Sequence, residues 1–301
     1  MTGKSFAAAL RGTERGSAPV IVADGAMGTM LQVAGLPPGT PPEGWLLENA
    51  EAVRDVHRAY VDAGSELILT CTFGATRPRL RQSGLEDRLD EINRKAVAIA
   101  REAAGSQAFV AGDIGPLGEF LAPLGELSYQ EAIDIFAEQA EALVRAGVDV
   151  LYIETMAALE EVQAAVEGAM RVANGIPVTA TLSFDSHGRT NMGVRPGEAA
   201  EALLELGVDA LGANCGATLD MTLGAIRTMG EVAHQSDPQM PLIVKPNAGK
   251  PRLVDDEVVY DAGPEEMAEY ARRFVALGAR VVGGCCGSTP EHISAIAQAI
   301  H

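Results

Sequence analysis

The sequence predicts an α/β protein built as a closed (β/α)8 (TIM) barrel, on three observations. Eight short apolar, β-branched runs recur along the 301 residues, each followed by a stretch whose apolar positions have helical spacing. The helical stretches often end in AG or LG just before the next run, where glycine serves as a helix C-cap. No GxGxxG follows the first run, as an open dinucleotide-binding sheet would show. Eight units in about 280 residues match the barrel in number and in size.

Taken in order, the strand candidates are VIVADGAMG (20–28), ELILTCTFG (66–74), AFVAGDIGP (108–116) and VDVLYIET (148–155). They continue with PVTATLSFD (177–185), DALGANCG (209–216), PLIVKPNAG (241–249) and ARVVGGCCG (279–287). Each closes on Gly, Asp, Asn, Thr or Pro, the residues of a turn. YVDAG, LVRAG, LLELG and VALG mark the helix ends before four of them. The proline-rich segment 33–49 reads as a loop covering one mouth of the barrel. No composition shift divides the chain, so 19–301 is expected to be one domain behind an N-terminal extension, 1–18.

Composition narrows the function classes. A formal charge of −18 argues against nucleic acid, whose phosphates need a basic face. Stretches such as EAVRDVHRAYVDAG carry much of the acidic excess on helical spacing, as a solvated face does. The first 20 residues lack an apolar core of the kind a secretory signal has, and no run is long enough to span a membrane. Four cysteines in a chain of this length do not make a disulfide scaffold, so a reducing cytoplasm is the expected location. Oligomeric state is left open between a monomer and a homo-oligomer paired through exposed barrel helices.

The chemistry-bearing residues fall at the C-terminal ends of strands, where such barrels gather their active sites. Cys215 in GANCG and the adjacent Cys285 and Cys286 in GGCCG end the sixth and eighth runs. Three thiolates from two strand ends suit tetrahedral Zn²⁺ with one position left open. They match neither an all-cysteine iron–sulfur site nor a 2-His-1-carboxylate triad. His57, His187, His234 and His292 lie in helix or loop contexts and are not expected as a fourth ligand. Cys71 closes the second run alone and reads as a packing residue. An open position that takes a thiol would make a sulfur nucleophile, because a free thiol with pKa about 8.5 is mostly protonated at neutral pH. No GxSxG element points to serine chemistry. No catalytic side chain beyond the metal site is therefore expected.

DGAMGTML, TFGATRPRL, GDIGP, FDSHGRTNMGV, GANCG, KPNAGKP and GGCCGSTPEHI, in this order, resemble the zinc-dependent homocysteine S-methyltransferases over about 19–300. Within that family the chain is most similar to the homocysteine-binding barrel of cobalamin-dependent methionine synthase. The resemblance implies zinc held by Cys215, Cys285 and Cys286, and methylation of homocysteine to methionine through its thiolate. It implies that Asp24 and Glu154 hold the substrate ammonium, while the glycine turn beginning at Gly25 offers backbone N–H groups to its carboxylate. It also implies that Asn247 supplies an oxygen to zinc before substrate arrives. The tyrosine that fills this position in betaine-dependent members falls here on Gly74. Asp113 departs from the small residue frequent in methionine-synthase barrels, and its role is open between donor binding and turn formation.

The methyl donor is less legible. A betaine or S-methylmethionine donor wants an aromatic cation box, and the single tryptophan, Trp45, lies offset in the proline-rich loop. A corrinoid-binding DxHxxG is absent, since Thr190 stands at the glycine position after Asp185 and His187. Methylcobalamin carried on a separate corrinoid protein is the expected donor. A small onium donor is the alternative, and so is a different thiol acceptor.

Overall fold

The computed structural model describes residues 5–12, 19–185, 187–254 and 257–301. The strands are β1 (Ile21–Val22), β2 (Leu67–Leu69), β3 (Phe109–Ile114), β4 (Val150–Met156) and β5 (Val178–Leu182), then β6 (Ala210–Cys215) and β7 (Leu242–Pro246). A hairpin, β8 (Pro251–Val254) and β9 (Glu257–Tyr260), precedes the last barrel strand, β10 (Ala279–Val282). The parallel order is β1-β10-β7-β6-β5-β4-β3-β2. A bridge between Ala23 and Leu67 joins its two ends, with Asp24 N–H donating to Leu67 O at 2.9 Å and Glu66 N–H to Val22 O at 2.7 Å. The ring is closed, as expected from eight units.

Helices α1 (Phe6–Arg11), α2 (Met27–Val33), α3 (Pro42–Trp45), α4 (Ala50–Asp62), α5 (Arg77–Arg81) and α6 (Leu89–Ala104) belong to the first half. They are followed by α7 (Tyr129–Ala146), α8 (Leu159–Val172), α9 (Pro196–Leu206), α10 (Leu219–Ser236), α11 (Pro264–Ala276) and α12 (Pro290–Ile300). Their boundaries follow local chemistry. Ser128 and Glu131 form a capping box at the start of α7, and Gly147 ends it in the left-handed conformation. Gly64, Gly207 and Gly278, the other glycines read as helix ends, also have positive φ. Among the described residues no helix is long and apolar enough to cross a membrane.

Alternation along each strand divides the apolar residues into two layers. Ile21, Leu67, Leu69, Phe109, Ala111, Val150, Tyr152, Ala210, Ile243 and Val281 fill the interior of the ring. Val22, Ile68, Val110, Leu151, Leu211 and Val244 face outward into the helical shell. The described part of the N-terminal segment joins the inner layer: Phe6 and Leu10 of α1 are buried there, and Phe6 packs edge-on against Phe109 with ring centroids 5.4 Å apart.

Two features differ from the sequence reading. The strands are shorter than the apolar windows, because those windows run on into the turns that carry polar residues. The antiparallel hairpin β8–β9 was not anticipated; its four-residue strands are too short to register as a ninth and tenth run.

Phe6→Ala should lower the unfolding free energy by about 3 kcal/mol, the usual cost of truncating a buried Phe. Denaturant titration checks it, and a loss below about 1 kcal/mol would mean that α1 does not contribute to the packed interior.

Candidate functional site

Following the inward positions upward along each strand leads from hydrocarbon to charge. Phe109 and Ala111 are succeeded on β3 by Asp113, and Val150 and Tyr152 on β4 by Glu154. By the same count Ala210 leads to Asn214 on β6, and Ile243 to Lys245 on β7. All four upper residues are buried. Asp113, Glu154 and Lys245, with Asp24, line a cavity of about 610 Å³ at the C-terminal mouth.

The charged groups are held unequally. Lys245 Nζ donates to Asp24 Oδ1 at 2.6 Å, and Leu69 N–H donates to Asp24 Oδ2 at 2.8 Å, so both Asp24 oxygens are engaged. Lys245 is only 3% exposed; burial opposes its charge, but Asp24 and Glu154 raise its pKa above the usual lysine value. Glu154 Oε2 accepts from Asn214 Nδ2 at 3.1 Å. Burial pushes its carboxyl up to about 7, against the pull of Lys245. Asp113 is raised well above the carboxylate range by burial and by the neighbouring Glu154, and its Oδ1 has no hydrogen-bond partner among the described residues.

Asn214 connects these carboxylates to the cysteines. Its Oδ1 accepts from Thr155 N–H at 2.8 Å and from Thr181 Oγ1 at 2.7 Å. Its Nδ2 donates to Thr155 Oγ1 at 2.6 Å and lies 4.0 Å from Cys285 Sγ. Thr155 and Cys215 both have positive φ, 60° and 55°. A non-glycine residue in that region costs of order 1–3 kcal/mol. At Cys215 the unusual backbone turns the end of β6 so that its sulfur meets those after β10.

The three expected cysteines come together. The Sγ atoms of Cys215, Cys285 and Cys286 lie within 4.8 Å of one another. Cys215 is 2.9 Å from Cys285 and 3.9 Å from Cys286. Four sulfurs around zinc would be about 3.8 Å apart at Zn–S bonds of about 2.3 Å. The longer separation already fits, and the shorter one needs only a small spreading of two side chains. Hydrogen bonds from Cys215 and Cys285, and then one from the Tyr260 hydroxyl, lower the Cys286 thiol pKa well below its ordinary value. Asn247 Nδ2 donates to Gly216 O at 2.9 Å, while its Oδ1 is buried without a partner among the described residues. A soft three-sulfur set beside an orphaned oxygen fits a thiophilic divalent metal.

The rim is fixed by close packing. A Cβ at Gly25 would stand 2.7 Å from Ser288 Oγ and 2.8 Å from the Tyr60 ring, so only glycine fits between them. Ser288 Oγ accepts from Ala26 N–H at 3.2 Å and donates to Cys285 O at 2.6 Å, tying the first turn to the last. The proline-rich segment does cover part of the mouth: residues 39–43 line the cavity, and Glu43 Oε1 accepts from Gly74 N–H at 2.6 Å.

Of the residues expected from sequence, Asp24, Gly25, Glu154, Cys215, Cys285 and Cys286 all line this cavity. Asn247 follows β7 beside them, with its N–H donating to Cys215 O at 3.3 Å. Cys71 lines the cavity wall but stands outside the three-cysteine group. Trp45 packs against the outer core instead, and among the described residues Phe73 is the single aromatic lining the cavity. His292 sits at the start of α12 with Nε2 3.0 Å from Ala262 O, and His57 is wholly buried and kept neutral by that burial. Asn214, Lys245 and Tyr260 were missed. The first two could have been found by counting alternate positions from the apolar inner layer; Tyr260 needed the hairpin.

A family model for the homocysteine S-methyltransferases matches residues 21–300. The chain belongs to the homocysteine S-methyltransferase family. The methionine synthase of Mycobacterium tuberculosis is 34% identical over 93% of this chain, which spans only 24% of that protein's length. Betaine–homocysteine S-methyltransferase 1 of Mus musculus is 32% identical over 93% of this chain and 72% of its own. The metallated form of the homocysteine methyltransferase MmuM from Escherichia coli superposes with a TM-score of 0.74 at 27% identity, covering 93% of this chain and 96% of that one. Its oxidised form gives a TM-score of 0.76 at 28% identity, with 93% and 95% covered. The family is one of methyltransferases.

Replacing Cys285 by Ala should abolish stoichiometric metal retention while the far-ultraviolet circular dichroism stays that of the barrel. Elemental analysis of the purified variant decides it, and one bound metal per chain would remove Cys285 from the ligand set.

Proposed function

We propose that this chain is a zinc-dependent methyltransferase that converts homocysteine to methionine. The observation that carries the reading is the three-sulfur group at the mouth of a barrel cavity, beside buried carboxylates. Cys215, Cys285 and Cys286 would hold zinc, with Asn247 Oδ1 as the oxygen that yields to substrate. Zinc held there would lower the pKa of a coordinated thiol, so that its proton is lost to solvent at neutral pH.

The chain's own groups orient the rest of the amino acid. Glu154 accepts the substrate ammonium at a position fixed by Asn214. Asp24 contributes negative charge to the same wall, and the turn beginning at Gly25 offers backbone N–H groups to the substrate carboxylate. Tyr260 hydrogen-bonds the Cys286 sulfur from the hairpin side. In the transfer, the substrate sulfur forms its bond to the methyl carbon as the methyl–donor bond breaks, and the donor leaves with that electron pair.

For the donor, a methyl-corrinoid on a separate protein is the favoured reading. Among the described residues Phe73 is the one aromatic lining the cavity and Trp45 packs elsewhere, so they form no aromatic box for an onium group. Betaine or another small onium donor is the second reading, favoured by the acidic lining and by the betaine-dependent relative. Zinc-edge absorption of the loaded protein should show a fourth sulfur on adding homocysteine, and an unchanged shell would reject the acceptor assignment. Turnover with homocysteine and methylcobalamin, betaine, S-methylmethionine or dimethyl thetin in turn separates the donors.

Glu154→Gln should raise the half-saturating homocysteine concentration by about tenfold or more, in keeping with loss of a charge-assisted hydrogen bond, with zinc content unchanged. An unchanged half-saturation point would remove Glu154 from substrate binding.

A further inference from the structure

The cavity holds one cation that the chemistry above leaves unused. Among the described residues that line it, only Lys245 and Arg79 are basic. Lys245 is buried and committed to Asp24 at 2.6 Å. Arg79 makes no hydrogen bond and no ion pair with a described residue. Its electrostatic neighbour is Glu43 of the proline-rich segment, but Glu43 Oε1 already accepts from Gly74 N–H at 2.6 Å. Arg77, on the same short helix α5, shows the contrast: its Nε donates to Glu138 Oε2 at 3.0 Å, and it does not line the cavity.

The Arg79 side chain is half-buried and confined. The loop after β3 runs over its stem, so that a Cβ at Gly118 would stand 2.9 Å from both Arg79 Cδ and Nη1. A guanidinium presents its N–H donors in a planar fork that matches a carboxylate. Partly desolvating it without an acceptor costs free energy, which an anionic ligand would recover. Gln82, three residues on, lines the same cavity and carries an amide donor. Arg79 stands beside residues 39–43, which cover part of the mouth, whereas Asp24, Asp113 and Glu154 sit at the strand ends below. The cavity is thus acidic within and has a spare cation at its entrance.

We infer that Arg79 binds the carboxylate of the methyl donor, and that it selects a zwitterionic onium compound. This rests on the acceptor thiolate proposed above and on the second donor reading, a small onium compound. Methyl transfer is a displacement, so the donor approaches the acceptor sulfur from the side that faces the mouth. The acidic lining draws in the onium end, and the carboxylate a few bonds away is left at the entrance, where Arg79 receives it. The acceptor carboxylate does not need Arg79, because the turn beginning at Gly25 offers it backbone N–H groups. In the step itself an electron pair of the acceptor sulfur forms the new S–C bond. The onium N–C or S–C bond breaks, and its pair stays on the neutral amine or sulfide that leaves. Arg79 stays with the carboxylate and takes no part in the bond exchange.

The test compares two donors that differ in the carboxylate: dimethylsulfonioacetate (dimethyl thetin) carries it, and trimethylsulfonium does not. Arg79→Gln should weaken calorimetric binding of dimethyl thetin to the zinc-loaded protein by about tenfold or more, and lower its kcat/KM with homocysteine alike. Trimethylsulfonium should stay within about twofold on both measures, and Arg79→Lys should recover part of the loss for dimethyl thetin. Equal losses for the two donors would mark general damage to the cavity and overturn the assignment. A raised half-saturation for homocysteine with unchanged dimethyl thetin binding would overturn it in favour of the acceptor carboxylate. If the unsubstituted protein takes neither onium compound while homocysteine still enters the zinc shell, this inference and the onium reading fall together, and the acceptor assignment stands.

Discussion

The inside of a closed ring of parallel strands admits a side chain only at every second residue. Height along the strand therefore decides what each inward position can be. At the bottom α1 presents Phe6 and Leu10 to the ring, and the positions beside them are hydrocarbon. One step above that layer the same positions become Asp113, Glu154, Asn214 and Lys245, and turns at the strand ends add Asp24 and the cysteines. Polar groups at this level are too deep for free hydration, so each must find a partner in the protein or in a ligand. That requirement explains why the carboxylates, the lysine and the amide are interlinked, and why an oxygen without a partner is informative.

Asn214 links the two halves of the site. It uses donors and acceptor together to hold Glu154, Thr155 and Thr181, and its amide nitrogen also approaches Cys285. The next residue, Cys215, takes a left-handed backbone conformation, as Thr155 does after Glu154. Unusual backbone at two neighbouring strand ends is maintained by the surrounding hydrogen bonds and packing. The sulfur positions are thus set largely by the chain, and metal affinity need not supply the organisation.

Much of this was legible before any coordinates. The eight-fold alternation fixed the architecture because apolar runs bounded by glycine leave few other ways to bury themselves. The cysteines stood out because a vicinal pair after two glycines is a poor packing unit. Asp24 and Glu154 were found through a family pattern, and Asp113 through its departure from that pattern. Lys245 and Asn214 were passed over because each sits inside an ordinary strand run, where only the inward or outward sense distinguishes it. Tyr260 was beyond reach for a different reason: it lies 26 positions before Cys286 and arrives through a hairpin whose strands are four residues each.

Gly287 follows the cysteine pair with φ of 78°, and a Cβ there would come within 2.2 Å of the Tyr260 ring. The absent methyl leaves a slot for that ring, whose hydroxyl hydrogen-bonds the Cys286 sulfur. A larger side chain at 287 would have to displace the ring and, with it, that donor. The smallest residue in the chain thereby sets the length of the bridge between hairpin and sulfur.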